Sequence, residues 1–170
     1  KSMPWTTGFC VVGAASISAF PLFAGFVSKS MILSAVAGDG RWFVDRGTAY
    51  AKDRNVFGRP IGQNQGIQFP IARAYAHIES SNLMVKEAAR KFDADEPCGP
   101  EANMSKMLAS EAAWEAAEMC VQTHGGFGFA TEYDVERKFR ETRLYQVAPI
   151  STNLILGYIG EHVLGLPRSY

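Results

Sequence analysis

The chain has 170 residues, enough for one ordinary domain with a core that needs no staples. Its 17 basic and 17 acidic residues cancel, which leaves no electrostatic footprint for nucleic acid or another polyanion. Cys10, Cys98 and Cys120 are odd in number and far apart, so they form neither a disulfide framework nor a zinc ligand set. No basic region with a cleavable apolar run marks a secretory signal, and the bulk of the chain reads as cytoplasmic.

The first segment is unlike the rest. No charge falls between Lys1 and Lys29 and no acidic residue precedes Asp39. Residues 6–27 have the length of a membrane span, about 20 residues, so any membrane contact is expected there. Composition changes between Ser34 and Gly38, which divides the chain into an apolar segment, 1–37, and a helical domain, 38–170.

Asp39 is placed to cap a helix running to about Arg54, ended by Gly58-Arg59-Pro60. Ile67, Ile71, Ala74, Ile78, Ser81, Val85, Ala88 and Phe92 then recur at helical spacing, which predicts one long amphipathic helix. Asp93 to Pro97 form a loop by composition. In the next helix, Met104, Leu108, Ala112, Ala116 and Cys120 make a narrow stripe that admits a close neighbour, and Gly125-Gly126 ends it. A short charged helix from Val135 to Arg143 follows. The last helix starts at Ser151 or Thr152 and stops before Gly165 and Pro167. No window predicts a sheet, so the expected fold is all-α, an antiparallel helical bundle preceded by an apolar helical segment.

Three clusters place polar groups beside glycine or a helix cap, where backbone and side chains can reach a phosphate. They are Arg54 to Ile61 followed by Gln65, then Gln122-Thr123-His124-Gly125-Gly126 with Phe127-Gly128-Phe129, then Ala148 to Asn153. Gly-Gly-Phe-Gly is not a dinucleotide fingerprint, since no strand precedes it. His124 reads as a core histidine or a helix C-terminal cation in preference to a general base.

Two resemblances are carried by these strings. KSMPWTTGFCVVGAASISAFPLFAGFVSKSMIL, about residues 1–35, resembles a piece of the membrane subunits of sodium/proton antiporters and of respiratory complex I, with Pro21, Gly25, Phe26 and Lys29 on the family pattern. RNVFGRPIGQNQG, then QTHGGFGFATEYDVERKFRETR, then a capped final helix are similar to the C-terminal helical domain of the acyl-CoA dehydrogenase family along residues 38–170.

The second resemblance implies FAD as cofactor and a homo-oligomer, dimer or tetramer, that shares the flavin across subunits. It implies that Arg54 and Gln65 contact the FAD of a neighbouring subunit, and that Gln122, Thr123, His124, Gly125 and Gly126 line its adenosine and pyrophosphate. Ser151 and Asn153 match positions that touch the subunit's own flavin. Family chemistry is α,β-dehydrogenation of an acyl-CoA thioester, with a carboxylate removing the α-proton. At the position where many members carry that glutamate stands Pro149, and the charge-free segment upstream supplies no substitute, so no residue is assigned as catalytic and the chain is expected to be inactive alone. Glu132 and Asp134, near the glycine-rich turn, are weaker substitutes. A non-catalytic helical interaction module and a membrane-anchored antiporter fragment are the competing readings.

Overall fold

The computed structural model describes residues 24–148 and 150–168. Helix α1 spans Ala24–Asp53, α2 Gln65–Asp93, α3 Gly99–His124, α4 Val135–Arg143 and α5 Thr152–Tyr158. Single 3-10 turns at Ile61–Gln63, Gly125–Phe129, Thr131–Tyr133 and Leu144–Gln146 link them, and a π turn, Ile159–Val163, extends α5.

Helix α3 is the central element and packs against both α1 and α2. Its facing side chains are small: Ala109, Ala112, Ala113, Ala116 and Ala117 are all buried. Small side chains let the helix axes approach, and the larger volumes come from the neighbours, Phe43 on α1 and Ile78 on α2. The fit is tight enough that a methyl group on Gly40 would lie 3.2 Å from Ile78 Cδ1 and 3.3 Å from Ala113 Cα.

The helical periods translate into α2, α3 and α4 with the expected extents. Ser151 caps α5, its hydroxyl accepting from the Leu154 N–H at 3.5 Å. Three expectations need correction. Asp39 is not a cap: it lies inside α1, which passes through Ser34 and Gly38 without a break. Its carboxylate instead receives Lys138 Nζ at 2.9 Å and the Tyr145 hydroxyl at 2.6 Å, which ties α1 to α4 and the turn after it. Burial, with Asp39 adding to it, pushes the Tyr145 phenol up to about 12.

The second correction is a small ladder. Asn55–Val56 (β1) and Arg59–Pro60 (β2) pair antiparallel around Phe57 and Gly58, both at positive φ, 53° and 79°, as a two-residue hairpin requires. Thirdly, the last helix changes at Tyr158 into the π turn before reaching Gly165. The apolar segment is a separate case. Residues 1–23, and with them most of the expected span at residues 6–27, lie outside the described residues, and among the described ones no helix is long and apolar enough to cross a membrane.

Candidate functional site

Two of the three polar clusters meet. The C-terminal end of α1, the hairpin and the 3-10 turn after α3 enclose an open groove of about 460 Å³. Arg54, Gln122, Thr123, His124, Gly125 and Gly126 line it, together with Tyr50, Val56, Ile61 and Phe127. Gln65, the exposed first residue of α2, is not among the lining residues, nor are Ser151 and Asn153 at the start of α5. Ser151 and Asn153 lie apart from the groove, at the N-terminal end of α5.

Arg54 follows the last turn of α1, and its guanidinium lies 5.7 Å from the centre of the Phe127 ring. Among the described residues no carboxylate pairs with it, so its charge is available to an anion. Opposite, Gly125 closes α3 at φ 57° and ψ −132°, a conformation open to glycine and little else. Added methyl groups at Gly125 and Gly126 would meet nothing within 4 Å, so a ligand can come up against this backbone. The groove borders a helix C-terminus, whose dipole disfavours an anion; neutralisation of a bound phosphate therefore falls to Arg54.

His124 is 3% exposed. Its Nδ1–H donates to the Cys120 carbonyl at 2.8 Å, and its ring stacks on Tyr50 with centroids 4.1 Å apart. Burial holds its pKa below the ordinary 6.5. It is thus a neutral core histidine, and the alternative of a helix-terminal cation is set aside. The Cys120 thiol beneath it is pushed up to about 12 by burial and is no nucleophile at neutral pH. Tyr50, which the sequence reading missed, could have been found from its place one helical turn before Arg54 on the same face of α1.

A second groove, about 520 Å³, runs between α1 and α2 past Arg41, Asp45 and Tyr75. Its guanidinium is already matched, Arg41 pairing with Asp45 at 3.0 Å and Glu79 at 3.3 Å and lying over the Tyr75 ring, while Lys52 also lines the groove. The smaller groove, with an unmatched guanidinium and an open glycine backbone, is the better anion site. Among the described residues no cluster of His, Cys, Asp or Glu could hold a metal ion.

The profile of the acyl-CoA dehydrogenase C-terminal domain matches residues 27–164. Acyl-CoA dehydrogenase FadE12 of Mycobacterium tuberculosis is 37% identical over 163 residues, a match covering 94% of this chain and 42% of FadE12. Among solved structures, butyryl-CoA dehydrogenase from Megasphaera elsdenii superposes with a TM-score of 0.77 at 27% identity, covering 80% of this chain and 36% of that one. PigA with FAD and proline gives 0.78 at 26% identity, covering 82% and 36%. The chain thus spans well under half the length of these relatives. The antiporter resemblance of residues 1–35 gains no support, because the dehydrogenase match takes in residues 27–37. By its profile and by these relatives, the chain belongs to the acyl-CoA dehydrogenase C-terminal domain family.

Proposed function

We propose that this chain is the FAD-contacting helical domain of an acyl-CoA dehydrogenase-like flavoprotein, and that its groove takes the adenosine and pyrophosphate half of a flavin bound mainly by another subunit. The observation that carries this reading is Arg54, a guanidinium without a carboxylate partner among the described residues, lining one groove with the open backbone of Gly125 and Gly126. Those residues fit a dianionic pyrophosphate: Arg54 supplies charge, Gln122 an amide, and the glycines room for close approach. Gln65 extends the same contact from the start of α2, and Ser151 and Asn153 meet the flavin of the subunit's own site.

When bound, FAD supplies a hydride acceptor for dehydrogenation of an acyl-CoA thioester. This chain's share is to hold and orient the cofactor, because none of its residues is assigned as the α-proton base. Pro149 has no ionisable group and lies outside the described residues. Asp134 is engaged by Arg137 through two contacts, 2.7 and 2.6 Å, which hold its carboxyl below the usual range. Glu132 is exposed and accepts from the Thr131 hydroxyl at 3.5 Å.

A homo-oligomer that completes the flavin site is the natural setting. Fully exposed Phe57, with Leu154, Leu156, Leu164 and Leu166 largely open along the C-terminal segment, is apolar surface that such a setting covers. The same surface favours the second reading, a non-catalytic interaction module. A cytoplasmic location agrees with the free thiols of Cys98 and Cys120.

Titration of the chain with FAD, followed by flavin fluorescence, separates the two readings. Binding is expected to be weak, since one side of the cofactor is uncovered, and Arg54→Gln weakens it about ten-fold or more through loss of a charge-assisted contact. No binding by the parent chain, or equal binding by Arg54→Gln, leaves the interaction module as the better account.

A further inference from the structure

The ring of His124 sits where the groove meets the bundle. Tyr50 of α1 stacks on one face of it, with an interplanar angle of 24°, and Tyr133 of the following turn meets it at 5.7 Å and 74°. Because Nδ1–H is committed to the Cys120 carbonyl, Nε2 carries the lone pair, and that nitrogen is buried with no hydrogen-bond partner among the described residues. An unpaired acceptor is tolerable in a neutral ring; protonation would make it a buried N–H donor with nothing to receive it, on a charged group.

The surroundings offer no compensation. From α1 the facing groups are the Tyr50 ring and the cationic Arg46; from the Thr131–Tyr133 turn it is Tyr133; from α3 itself, the Cys120 thiol. Among the described residues no carboxylate pairs with His124. A protonated ring can be solvated only by leaving its place on Tyr50. Such a move breaks the Nδ1–H bond to the Cys120 carbonyl within the last turn of α3, the turn that carries Gln122 and leads into Gly125 and Gly126.

We propose that His124 is a positioning residue and an acid-released latch: neutral, it holds residues 122–126 against α1 with the groove formed, and its protonation lets that segment go. The proposal rests on the flavin reading only in naming the ligand whose affinity the latch controls. Burial favours the neutral form of the closed state, whereas an opened ring takes a proton near the ordinary 6.5. The sign follows from linkage: below 6.5 the open form binds the extra proton, so the open-to-closed ratio rises about ten-fold per pH unit until the closed form itself titrates. Above that value the latch is closed.

The test is amide hydrogen exchange of residues 122–126 in the whole chain, corrected for intrinsic rates, from about pH 7.5 to about pH 5.5. In the parent chain the opening constant of this segment rises over that range, by up to about ten-fold, while His124→Phe, which keeps an aromatic ring but cannot take a proton, shows a flat profile. A parent profile as flat as the variant's, or a variant profile that rises as steeply as the parent's, overturns the latch. Should His124→Phe fail to fold, the imidazole titration of the parent decides: proton uptake must coincide with the rise in exchange, and uptake without such a rise overturns it. FAD titrations at the same pH values keep the two ideas apart. Exchange that follows pH without FAD binding at any pH sinks the flavin reading and leaves the latch, and FAD binding with pH-independent exchange does the reverse.

Discussion

Replacing Phe43 by alanine lowers the stability of the chain by about 3–5 kcal/mol, the upper range for a large core truncation. Phe43 is wholly buried on α1, its ring edge-on to Trp42 with centroids 5.1 Å apart. What decides the size of the effect is the company it keeps. Ala74, Ala112, Ala116 and Ala117 surround the same core and have no rotamers with which to fill a cavity. Ile78 and Met119 of the same core can fill the hole only in part, and a rigid shift of α1 toward α3 is resisted where Gly40 has no room for even a methyl group beside Ile78 and the Ala113 backbone. Urea unfolding followed by circular dichroism measures the change; a loss under about 1 kcal/mol would mean that the three helices are not packed around this ring.

Gly128→Ala is the second large effect, because it strikes the turn that shapes the groove. An added methyl group would lie 2.9 Å from the Val121 carbonyl oxygen and 3.2 Å from Val121 Cα. Both atoms belong to the backbone of α3, so no side chain can swing aside, and the Gly125–Phe129 turn has to lift away from the helix. Overpacking of this kind costs about 1–3 kcal/mol. The lift also carries Phe127 away from Arg54, so flavin affinity falls along with stability. Gly126→Ala separates the two consequences. Its methyl group meets nothing within 4 Å, so stability stays within about 0.5 kcal/mol of the parent while the groove is partly filled and FAD binding weakens. Thermal melts and FAD titrations on the two variants measure both effects, and a Gly128→Ala chain that melts like the parent contradicts the turn geometry.

The fold was legible where the physics is local. The recurrence from Ile67 to Phe92 is a helix face, and it became α2; Gly125 ended α3 because only glycine accepts its dihedral angles; Ser151 capped α5. Asp39 misled for an equally physical reason. A first acidic residue after a charge-free stretch has the look of a cap, but its partners Lys138 and Tyr145 lie 99 and 106 residues further on, and no local pattern announces them. The hairpin at Phe57 and Gly58 has two-residue strands, too short for any alternation to register. Arg54 and residues 122–126 stood out as polar groups beside glycine, the family resemblance gave them a ligand, and the groove they form is the part the structure adds. That His124 is a neutral core residue was not decidable from its neighbours in sequence. Tyr50 and Tyr133, which bury it, come from two other elements.

Amide exchange of the chain with and without saturating FAD tests the central claim most directly. Protection of the hairpin segment from Arg54 to Ile61, of the start of α2 at Gln65 and of residues 122–127 is the predicted footprint, and at equal FAD it is weaker in Arg54→Gln. Protection that falls instead on the α1–α2 groove around Arg41, Asp45 and Tyr75, or no protection anywhere, would contradict the assignment of the flavin to this site.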